Sequence, residues 1–296
     1  MILLDGEPLK NYGLYLLKGH SHPAPAVDSR TLKIPDRPGL IHFGNEIEAR
    51  SFHIPVGVLQ STPTETQEKM RKFTELLFDQ YGQTREIELR FTYEPEKYYK
   101  VKFDGGIDPQ RIFEYADFNL PLTAFDPYAY APATYYDPDF IATYNTDTEY
   151  DDGVTEYKNQ THTPFKNARQ YAGVFNYSHY ATPFSFVIEG YVKNPKITNT
   201  TSGVSAQFNN VTVEADERLY FDSKLMTTWK VKADEDEWFW LTPYQMMRYP
   251  AEWDKLNRYN DMSGHFLELV SGDNTILFEG ENPDAQVNFR WEHRFL

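Results

Sequence analysis

Almost every apolar segment of this chain repeats with a period of two. Ile87, Leu89, Phe91 and Tyr93 alternate with Glu86, Glu88, Arg90 and Thr92. After a break at Pro95, Tyr99, Val101 and Phe103 alternate with Lys100 and Lys102. The same spacing recurs in Phe118/Leu120/Leu122, Phe184/Phe186/Ile188, Val211/Val213, Leu219/Phe221 and Val287/Phe289/Trp291. Successive side chains of a strand point to opposite faces, so this alternation describes strands that bury one face and wet the other. Asp104-Gly105-Gly106 and Asp126-Pro127 supply turn chemistry between such runs. Many short strands punctuated by turns imply a mainly β protein built of sandwiches or barrels.

One segment breaks the rule. Thr62-Pro63-Thr64-Glu65 combines a capping box with proline at the first helical position. Met70, Phe73, Leu76, Leu77 and Tyr81 then fall on one stripe, and Gly82 stops the run. The spacing predicts an amphipathic helix over 62–81 that packs on a sheet. A second helix is expected between Pro243 and Leu256, interrupted by Pro250. From Ala131 to Tyr171 periodicity is lost among Tyr, Asp, Thr and Asn, which reads as a linker or arm between two β domains.

Composition removes whole classes of function. The 296 residues suit about two domains. A mean hydropathy of −0.64 and no apolar run near the roughly 20 residues needed argue against a membrane span. The start, Met1 to Gly6, lacks the basic and apolar regions of a signal peptide. With no cysteine there are no disulfides, thiol nucleophiles or iron–sulfur clusters. A formal charge of −15 argues against wrapping nucleic acid, which needs a basic footprint. Aromatics make up 16% of the chain, far too many for a solvated coil.

Motifs for chemistry fail on their spacing. In the acidic patch Asp147–Asp152, counting from Asp147 puts glycine at position seven instead of six of a calcium loop, and Lys158 at position twelve. His20-Ser21-His22 places two imidazoles on one side of an extended segment, without a third metal ligand. There is no G-x-S-x-G, H-E-x-x-H or phosphate loop. Four Asn-x-Ser/Thr triplets, at Asn159, Asn176, Asn199 and Asn210, read as turn chemistry. No catalytic, cofactor-binding or metal-ligating residue is therefore nominated. A pair of acids for glycoside hydrolysis stays open, because their separation is not a property of the sequence. Trp238-Phe239-Trp240 is the candidate contact for carbohydrate or a partner, with a core or subunit interface as the alternative.

The order of segments resembles the distal tail proteins of long-tailed, non-contractile bacteriophages. The resemblance rests on Asp5-Gly6, Tyr12-Gly13-Leu14, Ile34-Pro35-Asp36-Arg37-Pro38-Gly39 and Glu48-Ala49-Arg50-Ser51-Phe52. It continues through the helix at 62–81, Tyr98-Tyr99-Lys100-Val101, and Phe118 through Asp126-Pro127-Tyr128. Gly190, Asn194 to Asn199 and Thr201-Ser202-Gly203 are similar to the start of the family's C-terminal sandwich. Ser271 to Ile276 and Val287 to Trp291 are similar to its last strands. Asp36 departs from the glycine usual there, and 227–264 is longer than usual.

The resemblance implies an N-terminal β-sandwich or split-barrel domain with one helix (1–130), an arm (131–172) and a C-terminal galectin-like, carbohydrate-binding-module-like sandwich (173–296). It implies a non-enzymatic virion protein of the tail tip, made in the bacterial cytoplasm and needing no cofactor. Six copies would form a ring between the tail tube and the tip or baseplate. The implied partners are further copies of the chain, the tail tube protein, a tail-associated hub protein and receptor-binding proteins. DNA would pass through the ring without being bound specifically, and no membrane is involved. The alternative is a carbohydrate-binding module that contacts cell-wall glycans through the C-terminal sandwich.

Overall fold

The computed structural model describes residues 2–59, 62–112, 115–133, 162–232 and 257–296. The chain divides into two compact units, 1–131 with 295–296, and 132–294. Among the described residues the fold is mainly β with one α-helix, as the alternation predicts.

In the first unit the strands run in the order Glu7–Pro8, Ile2–Leu4, Glu86–Phe91, Glu94–Phe103, Tyr115–Ala124, Arg50–Leu59 and Tyr15–Leu16. Register brings the alternating apolar residues together. Phe52 faces Leu122, Ile54 faces Leu120 and Val56 faces Phe118, while Ile87 faces Val101 and Leu89 faces Tyr99. All of these are buried. Asp5 and Gly6 take positive φ (50° and 82°) in the two-residue turn from Ile2–Leu4 to Glu7–Pro8. Asp5 Oδ1 also accepts the Glu88 N–H at 2.9 Å, tying that turn to the next strand.

The helix spans Pro63–Leu77, four residues short of the expectation. Thr62 Oγ1 accepts the Glu65 N–H at 3.3 Å, as a capping residue should. Met70, Phe73 and Leu77 are buried in the first unit's core. The early stop has a local cause. Asp79 Oδ1 accepts both the Tyr81 and Gln83 N–H groups, and the Arg85 main chain and Nε donate to the carbonyls of Leu77 and Leu76 at 3.0 Å. The helix end is thus satisfied at Leu77, and Tyr81 leaves the stripe to stand exposed. A second difference lies at 92–95. The turn falls at Thr92-Tyr93, where Phe91 pairs with Glu94, and Pro95 lies inside the strand Glu94–Phe103. Tyr93 is accordingly exposed.

The second unit is organised by two long strands, Ser185–Asn199 and Gly272–Arg290. Ser185–Asn199 pairs with Gly272–Arg290 on one side and with Glu217–Asp222 on the other. Two apolar rows cross these three strands: Phe221–Phe186–Phe289 and Leu219–Ile188–Val287. The Phe186 and Phe221 rings stack at 4.5 Å and 14°. At Gly190 (φ 100°), just before the long strand shifts register between Tyr191 and Lys193, a Cβ would lie 2.7 Å from the Asp284 carbonyl oxygen. Only glycine fits this close approach.

Of the expected arm 131–172, residues 131–133 and 162–172 are described, and the latter are largely sheet: His162–Phe165 and the start of Arg169–Asn176 pair with Gly272–Arg290. Asn176 and Asn199 are fully buried. Asn176 Nδ2 donates to the carbonyls of Tyr180 and Leu269, and Asn199 Nδ2 to the Glu268 carbonyl and Asn274 Oδ1. Asn210 takes a left-handed φ of 58°. These three triplets are turn and bracing chemistry. Asn159, the acidic patch 147–152 and the expected second helix lie outside the described residues.

Candidate interaction surface

The feature of the first unit that its own core does not explain is the hairpin of Val27–Leu32 and Ile41–Ile47. Its two strands form a sheet of their own. Every residue of Val27–Leu32 is exposed, including Val27 (54%) and Leu32 (50%). Beyond the turn, Leu40 (61%) and Phe43 (64%) are exposed as well. Isolated two-stranded ribbons are marginally stable in water, and large aliphatic and aromatic side chains clustered on one are expected to be covered by something. Arg30 and Glu46 form an exposed ion pair across the strands. Such a pair contributes little, about 0–1 kcal/mol.

The turn at the tip is built as the sequence requires. The Arg37 N–H donates to the Ile34 carbonyl at 3.3 Å, with Pro35 and Asp36 between them. Asp36 takes φ 60°, the left-handed value for which glycine is the unstrained choice. The departure from glycine thus leaves the backbone conformation in place, at a small strain that aspartate tolerates better than most residues. Gly39 (φ 81°) provides a second left-handed position before the return strand.

The hairpin is rooted beside a polar cluster that residue patterns do not reveal. Arg50 is only 3% exposed, and its Nη1 donates to the Tyr99 hydroxyl at 2.8 Å. Burial pushes the Tyr99 hydroxyl up to about 12, with Arg50 acting in the opposite direction. His22 lies against the same hydroxyl at 2.7 Å. Its ring packs on Phe52, Phe91, Tyr93 and Tyr99, so it is part of an aromatic cluster. His20 is exposed. Among the described residues no group of three or more His, Cys, Asp or Glu is placed to hold a metal. Trp238, Phe239 and Trp240 lie outside the described residues.

The hairpin carries no alternation in its sequence, because Val27–Leu32 is exposed throughout and Ile41–Ile47 is half-buried only at every third residue. Arg50 carries a signal only as part of the Glu48-to-Phe52 resemblance.

Residues 7–124, inside the first unit, match the family described as phage tail protein RIFT-related domain. The first unit thus carries a domain of the phage tail protein type.

As a whole the chain is similar in fold to a phage distal tail protein (Dit). It matches the crystal structure of Dit from phage SPP1 with a TM-score of 0.61 at 12% identity, over 100% of this chain and 98% of that one. That protein is described as a paradigm of the hub of the adsorption apparatus in phages infecting Gram-positive bacteria. Two structures of the phage p2 baseplate in its activated conformation, with calcium and with strontium, align at a TM-score of 0.47 and 10% identity. They cover 96% of this chain and 91% of those. No curated protein matches this chain by sequence.

Proposed function

We propose that this tail protein assembles as a homo-hexameric ring at the tail tip. In that ring the N-terminal unit closes contacts between copies, and the C-terminal sandwich carries host-recognition proteins. The exposed apolar hairpin supports this reading most directly. A ribbon that shows Val27, Leu32, Leu40 and Phe43 to water and packs on no other sheet of its own is suited to lie on a neighbouring copy. Such a contact joins two different surfaces of the chain, and heterologous contacts close into rings.

On this reading the ring joins the tail tube to the baseplate and bounds a channel for DNA. Six copies at −15 each suit a conduit whose wall repels phosphate, so that DNA slides through without adhering. The role is structural and uses no catalytic residue. The test is the oligomeric state of the purified chain beside a Leu32→Asp/Phe43→Asp variant. Mass photometry should give a hexamer for the wild type and a monomer for the variant, with unchanged circular dichroism. A variant that still forms hexamers would remove the hairpin from the interface.

A further inference from the structure

The hairpin is joined to the sheet by residues 17–26. At the ends of this connection, the Leu17 N–H donates to the Pro55 carbonyl and the Glu48 N–H to the Ala26 carbonyl, both at 2.9 Å. Between them sits His22. Its ring stacks on Phe91 at 4.6 Å and 18° and meets Tyr99 edge-on at 5.4 Å. The hydrogen bonds around it run one way. The Tyr99 hydroxyl accepts from Arg50 Nη1, and with a neutral ring its own hydrogen is free to go to His22 Nε2. His22 Nδ1 then carries the ring's proton and donates to the Tyr93 hydroxyl at 3.1 Å. A neutral imidazole completes that chain without placing a second cation beside Arg50.

The charges around the ring act in both directions. On the strand Arg50–Leu59, Arg50 is buried, its Nε and Nη2 make no hydrogen bond, and no carboxylate pairs with it among the described residues. On the strand Glu94–Phe103, Glu94 lies 3.8 Å from His22 Nδ1 but is shared with Lys97 at 3.6 Å. Tyr93 and Tyr99 supply the two hydroxyls, and His20 lies on the same segment. Burial holds the His22 imidazole below the ordinary histidine value. Glu94 opposes this, while Arg50, His20 and Lys97 reinforce it. A second cation against the Tyr99 oxygen, beside an already uncompensated guanidinium, is what the cluster resists.

We propose that His22 is a proton-operated latch at the root of the hairpin: neutral, it fastens residues 17–26 to the sheet; protonated, it leaves its aromatic seat and frees the hairpin to move. This goes beyond the ring reading, because it concerns how one chain holds the hairpin.

Hydrogen exchange by mass spectrometry, corrected for intrinsic rates, tests it at pH 7.5 and 5.0. Wild-type protection over residues 17–32 is expected to fall on acidification, by up to about tenfold for each unit by which the latched pKa lies below the free one. His22→Phe keeps the stack but carries no proton, and is expected to show equal protection at both pH values. His22→Gln, uncharged throughout, should be less protected and equally insensitive to pH. Wild-type protection that does not change would overturn the latch. So would a fall shared by the wild type and both variants, which would report separation of copies instead. The exchange is read on single chains and rings alike, so absence of a hexamer leaves this test intact.

Discussion

Acid should weaken the second unit through one buried imidazole. His293, on the strand Glu292–Phe295, is fully buried and meets the Tyr177 ring edge-on at 5.4 Å. Its Nδ1 accepts the Tyr177 N–H at 3.2 Å, which fixes the neutral tautomer. Burial drives its pKa down to about 4, although a hydrogen bond with the Ala133 main chain acts to raise it. Protonation would set one N–H against another in a dry site. An unfolded histidine titrates at 6.5, so the folded state binds its proton later. Stability is then complete above about pH 6.5, falls as the pH drops towards 4, and levels off below. A difference of about 2.5 units at 1.36 kcal/mol per unit gives a loss of about 3 kcal/mol. That is a large share of the roughly 5–15 kcal/mol that holds a typical domain. The five tryptophans all follow residue 228, so tryptophan fluorescence in urea reports this unit alone. Carboxylates titrate over the same range, so the comparison is with His293→Gln. The stability gap between wild type and variant is expected to shrink by about 3 kcal/mol from pH 7 to pH 4. A gap that stays constant over that range would refute the assignment.

Other positions give sharper, simpler outcomes. Gly264 has φ 100°, and a Cβ there would lie 2.1 Å from the Ser205 carbonyl oxygen; Gly264→Ala should cost about 3 kcal/mol or more, seen as a lower thermal midpoint. Asp36→Gly relieves the left-handed strain at the hairpin tip. It should slow exchange of hairpin amides by a factor corresponding to about 1 kcal/mol or less, with no effect on the second unit. Trp240→Ala should abolish glycan-array binding if the Trp238–Trp240 segment contacts sugar, and leave tail assembly unaffected.

The elements that sequence reveals and those it hides differ for a physical reason. Alternation appears only where burial is one-sided, so Phe184/Phe186/Ile188 and Val287/Phe289/Trp291 are legible as strands. Their pairing is not, because Phe186 meets Phe289 across about a hundred residues of chain. The helix start is visible in Thr62-Pro63, a local signal. Its end depends on Arg85 reaching back to Leu76, which no local pattern announces. Pro95 looks like a break, yet the turn falls at Thr92-Tyr93. The hairpin at 27–47 is solvated on both faces and so leaves no periodicity. In the sequence His22 stands only as half of a His-x-His pair; its place in a polar chain depends on Arg50 and Tyr99, 28 and 77 positions away. The family resemblance carries the reading further than any motif, because interaction surfaces, unlike catalytic groups, leave no fixed spacing.

The central claim is that copies of this chain close into a ring. Electron microscopy of the purified protein at micromolar concentration tests it most directly. Class averages with six-fold symmetry around an open centre are the predicted result. A strictly monomeric particle, or a closed dimer, would contradict it.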